Sequence, residues 1–331
     1  MAILVTGAAG FIGHALSSAL LAHGEEVVGI DDLNAYYEPA LKEARAADLS
    51  RRFGERFTLL RLDFSDTDAL KRALAPFSLA KIAHMGAQAG VRHSLAHPED
   101  YVRSNLAGHL NMLELARARA VPLVYASSSS VYGSNRKLPF SVEDRADHPV
   151  SFYAATKRAD ELMSEAYSHL YKIPQTGLRF FTVYGPWGRP DMTPWIFTEA
   201  ILSGRPITLF NNGRISRDFT YIDDVVEGIM AALDRSPKEH GAPKPGGSRA
   251  PHAIYNLGNS RSEALGKLVT AIEDATGRKA AINFGPMQPG DVEDTFADIS
   301  ESERDLGYRP QTALATGIAN FVRWFRGYRE L

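Results

Sequence analysis

The run GAAGFIG at residues 7–13 constrains the fold more than any other segment of the chain. An apolar β-rich stretch at residues 3–6 precedes it, and an apolar helical pattern at 11–23 follows it. Glycines at this junction let the backbone turn tightly, approach a pyrophosphate closely and pack the helix against the strand. The helix N-terminus then offers amide donors and a positive dipole end to phosphates. The spacing, G-x-x-G-x-x-G, is one residue longer than the usual dinucleotide fingerprint. The run still predicts a strand, a turn and a helix that bind a dinucleotide.

Short β-rich runs alternate with helical patterns through the first half of the chain, which predicts a parallel sheet covered on both faces. The expected fold class is α/β, a Rossmann-like doubly wound parallel sheet with a smaller, mixed α/β C-terminal substrate domain. We expect the dinucleotide-binding domain at 1–181, with segments near 216–234 and 252–260 returning to it, and the second domain mainly at 182–331. Predicted strands cover 3–6, 27–30, 57–62, 82–85, 123–127, 176–181 and 254–257. Predicted helices lie near 11–23, 66–75, 98–118, 152–171, 262–276 and 314–328.

The composition narrows the class of protein. The 331 residues include 37 Lys and Arg against 39 Asp and Glu, a net charge of −2 that gives no general attraction to nucleic acid or an anionic membrane. There are no cysteines, which rules out a disulfide framework and a thiol nucleophile. The apolar start is too short for a signal peptide, and no stretch has the apolar length of a membrane span. We therefore expect a soluble cytoplasmic protein.

An acid follows the second predicted strand. Asp31 lies 18 positions after Gly13, where a carboxylate can bind the adenosine ribose hydroxyls and would repel a 2′-phosphate. The alternative is an ordinary turn aspartate at the end of a strand. Together with the glycine turn, Asp31 favours NAD over NADP.

Two further patterns carry possible chemistry. Tyr153 and Lys157 are four residues apart, so they share one face of the predicted helix, for which Ser151 is a plausible N-cap. A free phenol is a poor base at neutral pH, but a fixed cation nearby favours the phenolate form. A chance spacing on a solvated helix face is the alternative. Four serines at 127–130 leave the fifth strand and can hydrogen-bond a polyol, or form only a polar loop.

Other catalytic classes find little support. No G-x-S-x-G elbow is present, which argues against a serine hydrolase. His84, His93 and His97 raise the question of a metal, but they lack a carboxylate-supported ligand set and Pro98 follows directly. We interpret them as structural or surface residues and predict no metal.

The glycine turn, the strand-end serine and the Tyr-x-x-x-Lys pattern together resemble the extended short-chain dehydrogenase/reductase family. Within it, the chain is most similar to the UDP-glucuronate 4-epimerase group of nucleotide-sugar epimerases. The resemblance covers nearly the whole chain and includes GVRHS at 90–94, YGPWGRPDM at 184–192 and RDFTYIDD at 217–224. The WGRPDM string is the most specific of these.

The resemblance implies roles for particular residues. Tyr153 would be the catalytic base, Lys157 would tune it and hold the nicotinamide ribose, and Ser128 would hydrogen-bond the reacting 4-hydroxyl. The residues that would bind NAD are Gly7, Gly10, Phe11, Ile12, Gly13, Asp31, Asp32, Asn34, Asp63, Phe64, Met85, Gly86, Ala87, Gln88, Asn105, Tyr153, Lys157 and Val183. The residues that would bind a UDP-sugar are Ser128, Ser129, Ser130, Tyr153, Thr182, Arg189, Phe210 and Arg217. Arg92 could be structural or could face the ligand.

The implied reaction is transient oxidation of the sugar at C4 by NAD, which is regenerated when hydride returns to the other face. A 4-keto uronate is a β-keto acid that can lose carbon dioxide, so we expect Ser129, Ser130 and Arg189 to hold its carboxylate. Related dehydratases and decarboxylases carry acids in this loop, where this chain has two serines. A UDP-glucose/UDP-galactose 4-epimerase, a UDP-glucuronate decarboxylase and a non-catalytic NAD-binding regulator are the alternatives. The family often pairs through helices matching 98–118 and 152–171, so we expect a homodimer.

Overall fold

The computed structural model describes residues 1–287 and 292–331. Twelve strands are formed within these residues: β1 Ala2–Thr6, β2 Val27–Asp31, β3 Phe57–Arg61, β4 Leu79–His84, β5 Leu123–Ser128, β6 Gln175–Phe180, β7 Thr182–Tyr184, β8 Ile207–Leu209, β9 Ser216–Tyr221, β10 His252–Leu257, β11 Ser262–Ala264 and β12 Ile282–Phe284. The α-helices of the same residues are α1 Phe11–Ala22, α2 Pro39–Phe53, α3 Thr67–Leu74, α4 His93–Ala96, α5 Pro98–Tyr101, α6 Gly108–Arg119, α7 Phe152–Tyr171, α8 Thr193–Leu202, α9 Ile222–Asp234, α10 Leu265–Thr276, α11 Ser300–Leu306 and α12 Leu314–Arg329.

Seven strands form one sheet in the order β10-β6-β5-β4-β1-β2-β3, and every pairing within it is parallel. The chain runs outward from β1 to β3, returns to β4 on the other side of β1, and continues outward to β10. This reversal makes the gap between β1 and β4 a topological switch point, and open α/β sheets bind ligands outside the carboxyl ends of their strands at such points. The predicted Rossmann-like fold is confirmed.

Apolar side chains cover both faces of the sheet. On one face, Leu16 and Leu20 of α1 pack with Val225 and Ile229 of α9 in the larger core cluster. On the other face, α3 and α6 bury their inward-facing leucines and methionine against the strands. The crossover helices of a parallel sheet lie on both of its faces, so both faces are buried.

Two small sheets stand apart from the large one. β9 pairs with β7 in parallel and with β11 antiparallel, and β8 pairs with β12. The strand β10, although late in the chain, joins the large sheet beside β6. The division of the chain into a 1–181 domain with returning segments and a 182–331 domain stays a prediction.

Two predicted elements differ in detail, and helix α2 is among the elements that were not predicted. The helix expected over 98–118 is interrupted by a π-helical segment, Val102–Ala107, between α5 and α6. The residues expected to begin the helix at 262 instead form β11, because they pair with β9 before α10 starts at Leu265. The helix α2 lay in a segment for which the sequence pattern indicated no element. Within the described residues, no helix has both the length and the apolar character that crossing a bilayer requires.

Candidate active site

Two adjoining clefts open at the carboxyl ends of the central strands. The first cleft is lined by Gly7, Gly10, Phe11, Ile12, Gly13, Asp31, Asp32, Asn34, Tyr36, Tyr37, Lys42, Asp63, Phe64, Met85, Gly86, Ala87, Gln88, Ala89, Ser104, Ala126, Ser127, Ser128, Tyr153, Lys157, Phe180, Phe181, Val183, Arg189 and Met192. The second cleft includes Ser129, Ser130, Thr182, Phe210 and Arg217 in its wall. Ser128, Tyr153 and Arg189 line both clefts, so they lie where the two meet.

The glycine turn brings the backbone of β1 against the loop after β4. Gly7 has a φ of +67°, and a Cβ built there would lie 2.8 Å from Gly86 Cα. Helix α1 then begins after Gly10, which supplies no side-chain cap, so the first-turn amides of α1 are left to a ligand in the first cleft. This is the geometry that the sequence predicts for the approach of a pyrophosphate.

Asp31 is buried at the end of β2. Its two carboxylate oxygens accept hydrogen bonds from the backbone N–H groups of Ala9 (3.0 Å) and Leu33 (2.9 Å). Burial raises the pKa of this carboxyl, while the bond from Leu33 and the nearby Lys42 ammonium act in the opposite direction. The carboxylate thus joins the glycine turn to the second strand and faces the first cleft.

The loop after β2 and the helix α2 that follows it contribute side chains to the first cleft that the sequence analysis did not predict. Lys42 of α2 is buried, and its ammonium donates to the backbone and side-chain oxygens of Asn34, each at 2.8 Å. Tyr36 and Tyr37 line the first cleft beside Lys42. The two adjacent tyrosines, which follow Asp31 closely in the sequence, were a signal for this part of the cleft. Their position depends on α2, which the apolar pattern did not predict.

Asn105 is the one predicted cofactor residue that lines neither cleft. It is buried and accepts a hydrogen bond from the Gln88 N–H at 2.8 Å. Its amide donates to the Gln88 carbonyl (3.1 Å) and to Thr156 Oγ1 (3.0 Å). Asn105 therefore fixes the backbone of Gln88, which does line the first cleft, and ties it to α7.

Helix α7 presents Tyr153 and Lys157 to the clefts. The predicted N-cap is formed, since Ser151 Oγ accepts a hydrogen bond from the Ala154 N–H at 3.1 Å. Tyr153 lies in the first turn, where this cap fixes the backbone. Across the junction, Ser128 at the end of β5 accepts from the Ser130 N–H (3.2 Å) and donates to Ser130 Oγ (3.1 Å). The chain thus brings together the three residues expected to be catalytic.

Lys157 is buried beneath the junction. Its ammonium donates to the Ala126 carbonyl (3.0 Å) and to Asp160 Oδ2 (3.1 Å) on the next turn of α7. Burial raises the pKa of Asp160 to about 7, even though the Lys157 ammonium favours the charged carboxylate. Two of the three ammonium donors are thus fixed by the protein, which orients Lys157 within the first cleft.

A second buried ion pair supports the end of β5. Glu161 accepts from Arg179 Nε (2.8 Å) and Nη2 (2.9 Å) of the neighbouring strand β6, and from Ser127 Oγ (2.7 Å). Burial alone would raise the pKa of Glu161, but the guanidinium of Arg179 outweighs it and lowers the pKa to about 2. The pair holds α7 against β5 and β6, and so fixes the helix that carries Tyr153.

Arg189 is held by residues from two parts of the chain. Its Nε and Nη2 donate to the two carboxylate oxygens of Asp191, at 2.9 and 2.5 Å. The Tyr36 hydroxyl donates to Asp191 Oδ2 at 2.9 Å. Asp191 therefore connects the arginine of the WGRPDM string to the loop after β2.

The second cleft lies between the serine run and the region around β8 and β9. The sequence predicted Ser129, Ser130, Thr182, Phe210 and Arg217 for this region, and all five line it. Arg92, whose role the sequence left open, also lines it and lies over the Phe210 ring, with 5.2 Å between its guanidinium carbon and the ring centroid.

His93, His97 and Asp100 each offer a ligand atom, and these atoms lie within 4.8 Å of one another. The two imidazole rings are stacked, with centroids 4.4 Å apart and planes inclined by 27°. His93 Nε2 lies 3.7 Å from Asp100 Oδ2, so the expectation that these histidines lack a nearby carboxylate is wrong, whereas the absence of a metal stays a prediction.

Comparison with known proteins identifies the family. Residues 3–258 match the model of the NAD dependent epimerase/dehydratase family. The chain belongs to this family.

Curated relatives match along nearly the whole chain. Protein CapI of Staphylococcus aureus is 45% identical over 334 residues, covering 99% of each chain. UDP-glucuronate 4-epimerase 3 of Arabidopsis thaliana is 46% identical over 332 residues, which cover 98% of this chain and 76% of the plant protein. Among solved structures, UDP-glucuronic acid 4-epimerase from Bacillus cereus in complex with UDP-glucuronic acid and NAD superposes with a TM-score of 0.86. It is 32% identical, and the match covers 99% of this chain and all of the other.

Proposed function

We propose that the protein is an NAD-dependent 4-epimerase that interconverts UDP-glucuronate and UDP-galacturonate through a transient 4-keto sugar. The observation that carries the proposal is the position of Ser128 and Tyr153 on the wall shared by the two clefts, with Lys157 buried beside them. A base at this junction reaches a sugar in one cleft and a dinucleotide in the other. The similarity to epimerases described as acting on UDP-glucuronic acid supports this choice of substrate.

The first cleft fits a dinucleotide on its own geometry. The close approach of Gly7 to Gly86 leaves no room for a side chain, and the first-turn amides of α1 lie uncapped at the same place. Asp31, held by two backbone N–H groups, would bind ribose hydroxyls and repel a 2′-phosphate. When bound, NAD supplies the hydride acceptor and donor for C4.

The chain's own residues would move one proton and hold the sugar. Tyr153, as phenolate, would take the proton of the 4-hydroxyl. It would later return the proton to the 4-oxygen of the sugar whose configuration at C4 is inverted. Lys157 would stabilise the phenolate by its charge, and the Ser128 hydroxyl would hydrogen-bond the same sugar oxygen. Because Tyr153 would give back the proton that it takes, its own protonation state would be the same at the end of the reaction as at the start.

We further infer that Arg189 and the hydroxyls of Ser129 and Ser130 hold the C6 carboxylate. A β-keto acid loses carbon dioxide most easily when the bond to the carboxylate stands perpendicular to the ketone plane. Arg189 lines both clefts, and a guanidinium has five N–H donors, two of which Asp191 uses. Its other edge can bind a substrate carboxylate and keep it away from that orientation. Neither serine is a strong acid or base that would assist elimination.

Product analysis tests the proposed reaction. The protein incubated with UDP-glucuronate and NAD should form UDP-galacturonate. UDP-pentose as the main product would select a decarboxylase, and turnover confined to UDP-glucose would select the neutral-sugar epimerase.

Tyr153→Phe should lower kcat by about 10²–10⁴-fold while NAD still binds, because the ring remains and only the acid–base group is lost. Full activity of this variant would refute the assignment of the base.

We also propose that the protein pairs as a homodimer through α6 and α7. These helices pack side by side, joined by the His109–Ser164 and Tyr167–Glu114 hydrogen bonds. Their outer surface carries exposed leucines, among them Leu162 at 56% and Leu170 at 65% exposure. Exposed apolar residues two turns apart on one helix form a stripe that a second copy of the chain could cover.

A further inference from the structure

The loop after β2, which lines the proposed dinucleotide cleft, also holds Arg189, the residue proposed to bind the sugar carboxylate. Tyr36 lines both clefts, and its hydroxyl donates to Asp191 Oδ2, while Arg189 binds both oxygens of the same carboxylate. The Arg189 guanidinium also lies over the Tyr36 ring, with 5.9 Å between the guanidinium carbon and the ring centroid. Three side chains from two distant segments thus form one unit at the wall between the clefts.

The protonation states of this unit suit its geometry. Burial raises the pKa of Tyr36 to about 12, with Arg189 acting in the opposite direction, so the phenol keeps its proton and donates. Burial would raise the pKa of Asp191, but the Arg189 guanidinium and the Tyr36 hydroxyl lower it, so the carboxylate stays charged. The hydrogen bonds therefore run from Tyr36 and from Arg189 towards Asp191.

Backbone contacts hold the same segment from a second side. Arg45 of α2 is fully buried, and its Nη2 donates to the carbonyls of Trp187 (2.5 Å) and Gly188 (3.1 Å), just before Arg189. Its Nη1 donates to the Ala9 carbonyl in the glycine turn (3.0 Å). The dinucleotide side of the molecule thus fixes both the backbone and the side chain of the arginine segment.

We propose that Tyr36 and Asp191 are positioning residues that orient Arg189 on the sugar carboxylate and thereby suppress decarboxylation. The inference rests on the proposed function and adds to it the residues that set product selectivity. A bidentate partner fixes the plane of a guanidinium, and the direction of its remaining N–H donors follows from that plane. A misdirected guanidinium would let the carboxylate turn perpendicular to the C4 ketone.

The side reaction has a definite balance. The C5–C6 bond breaks and releases carbon dioxide, and its electron pair forms an enolate with the C4 ketone. A proton then adds at C5 and gives UDP-4-keto-pentose. Return of the hydride to C4 converts this to UDP-pentose, whereas early release of the ketone leaves the cofactor reduced.

Tyr36→Phe is the sharpest test, because it removes the hydroxyl, keeps the aromatic ring and leaves the charged pair Arg189 and Asp191 unaltered. With UDP-glucuronate and NAD, we expect the ratio of decarboxylated products to UDP-galacturonate to rise by about three- to tenfold, the effect of losing one hydrogen bond. Asp191→Asn should change the ratio in the same direction. Absorbance at 340 nm should rise as reduced cofactor accumulates.

The matched control is Tyr255→Phe, since Tyr255 also donates to an aspartate, Asp305 Oδ2 at 3.2 Å, and lines neither cleft. Its product ratio should equal that of the unaltered protein. A double variant of Tyr36→Phe with Arg189→Ala should give the same ratio as Arg189→Ala alone, because Tyr36 acts through Arg189. An unchanged ratio in Tyr36→Phe, or fully additive effects in the double variant, would overturn the proposal.

Binding measurements separate this proposal from the proposed function. In the Tyr153→Phe background with NAD present, Tyr36→Phe should reduce the preference for UDP-glucuronate over UDP-glucose, which lacks the carboxylate. An unaltered preference would contradict the positioning role even if no turnover occurs. Failure of the unaltered protein to convert UDP-glucuronate would instead refute the proposed function.

Discussion

At the residue scale, Asp160 is a buried acid directly beside Lys157. It is fully buried, its Oδ2 accepts from Lys157, and its Oδ1 has no hydrogen-bond partner among the described residues. Natural proteins rarely keep a buried acceptor unsatisfied, because its desolvation is not repaid. The pKa of about 7 makes the charge of this group depend on pH near neutrality.

This pKa predicts a pH dependence of stability. The unfolded carboxyl ionises near pH ~4, whereas the folded one keeps its proton up to about pH 7, so the folded state binds more protons between these values. The free energy of unfolding should therefore fall as pH rises through this window. Asparagine does not titrate, so Asp160→Asn should gain about 1–3 kcal/mol relative to the unaltered protein between about pH 5 and pH 8.

Denaturant unfolding at several pH values measures this difference. The control is Asp147→Asn, which alters an exposed carboxylate just before the same helix and should follow the unaltered protein. A difference between Asp160→Asn and the unaltered protein that does not change with pH would contradict the buried titration.

At the element scale, the glycine turn is a contact between two loops as well as a bend. Gly7→Ala would place a Cβ 2.8 Å from Gly86 Cα, in a backbone conformation that already disfavours a side chain. The loop after β4 must move, so we expect NAD affinity to fall by about tenfold or more, together with a lower melting temperature. Calorimetric titration with NAD and thermal unfolding measure the two effects.

Gly24→Ala is the matched control for this change. Gly24 has a φ of +93°, and a Cβ there would meet nothing within 4 Å. It carries the conformational cost without the contact, so stability should fall modestly and NAD affinity should not change. Equal NAD affinity in Gly7→Ala and Gly24→Ala would show that the contact with Gly86 does not shape the cleft.

The elements that short-range patterns determine were predictable from the sequence. The glycine turn, the Ser151 cap and the alternation of strands and helices depend on residues close in the chain. Helix α2 was missed because two of its five buried positions, Lys42 and Arg45, carry charged residues and so weaken its apolar period, although Pro39 begins it favourably. The β11 strand was read as helix because its pairing with β9 is a long-range contact.

The same difference between short-range patterns and long-range contacts decides which site residues were predictable. Tyr153 and Lys157 were predictable because their spacing on one helix decides their common direction. The link from Tyr36 through Asp191 to Arg189 spans 155 positions of the chain between Tyr36 and Asp191, and no local pattern reveals it. Asn105 was expected to line the cleft, but its partners Gln88 and Thr156 hold it one layer behind.

At the scale of the whole molecule, the outer surface of α6 and α7 predicts the state of assembly. Leu162→Glu places a charge in the exposed leucine stripe, where it would lose its solvation in a dimer interface. We expect the dimer to dissociate into monomers, with a sedimentation mass near half that of the unaltered protein.

Phe284→Glu serves as the control, because Phe284 is also exposed, at 64%, but belongs to β12, away from these helices. Its sedimentation mass should equal that of the unaltered protein. A monomeric unaltered protein, or an unaffected mass for Leu162→Glu, would contradict pairing through α6 and α7.

The most direct test of the proposed reaction follows the hydrogen at C4. UDP-glucuronate carrying deuterium at C4 is incubated with the protein and NAD in ordinary water, and the products are analysed by mass spectrometry and NMR. The proposed function predicts UDP-galacturonate that keeps its deuterium at C4, because the hydride leaves and returns within one site. UDP-galacturonate with ordinary hydrogen at C4, or a UDP-pentose in its place, would contradict it.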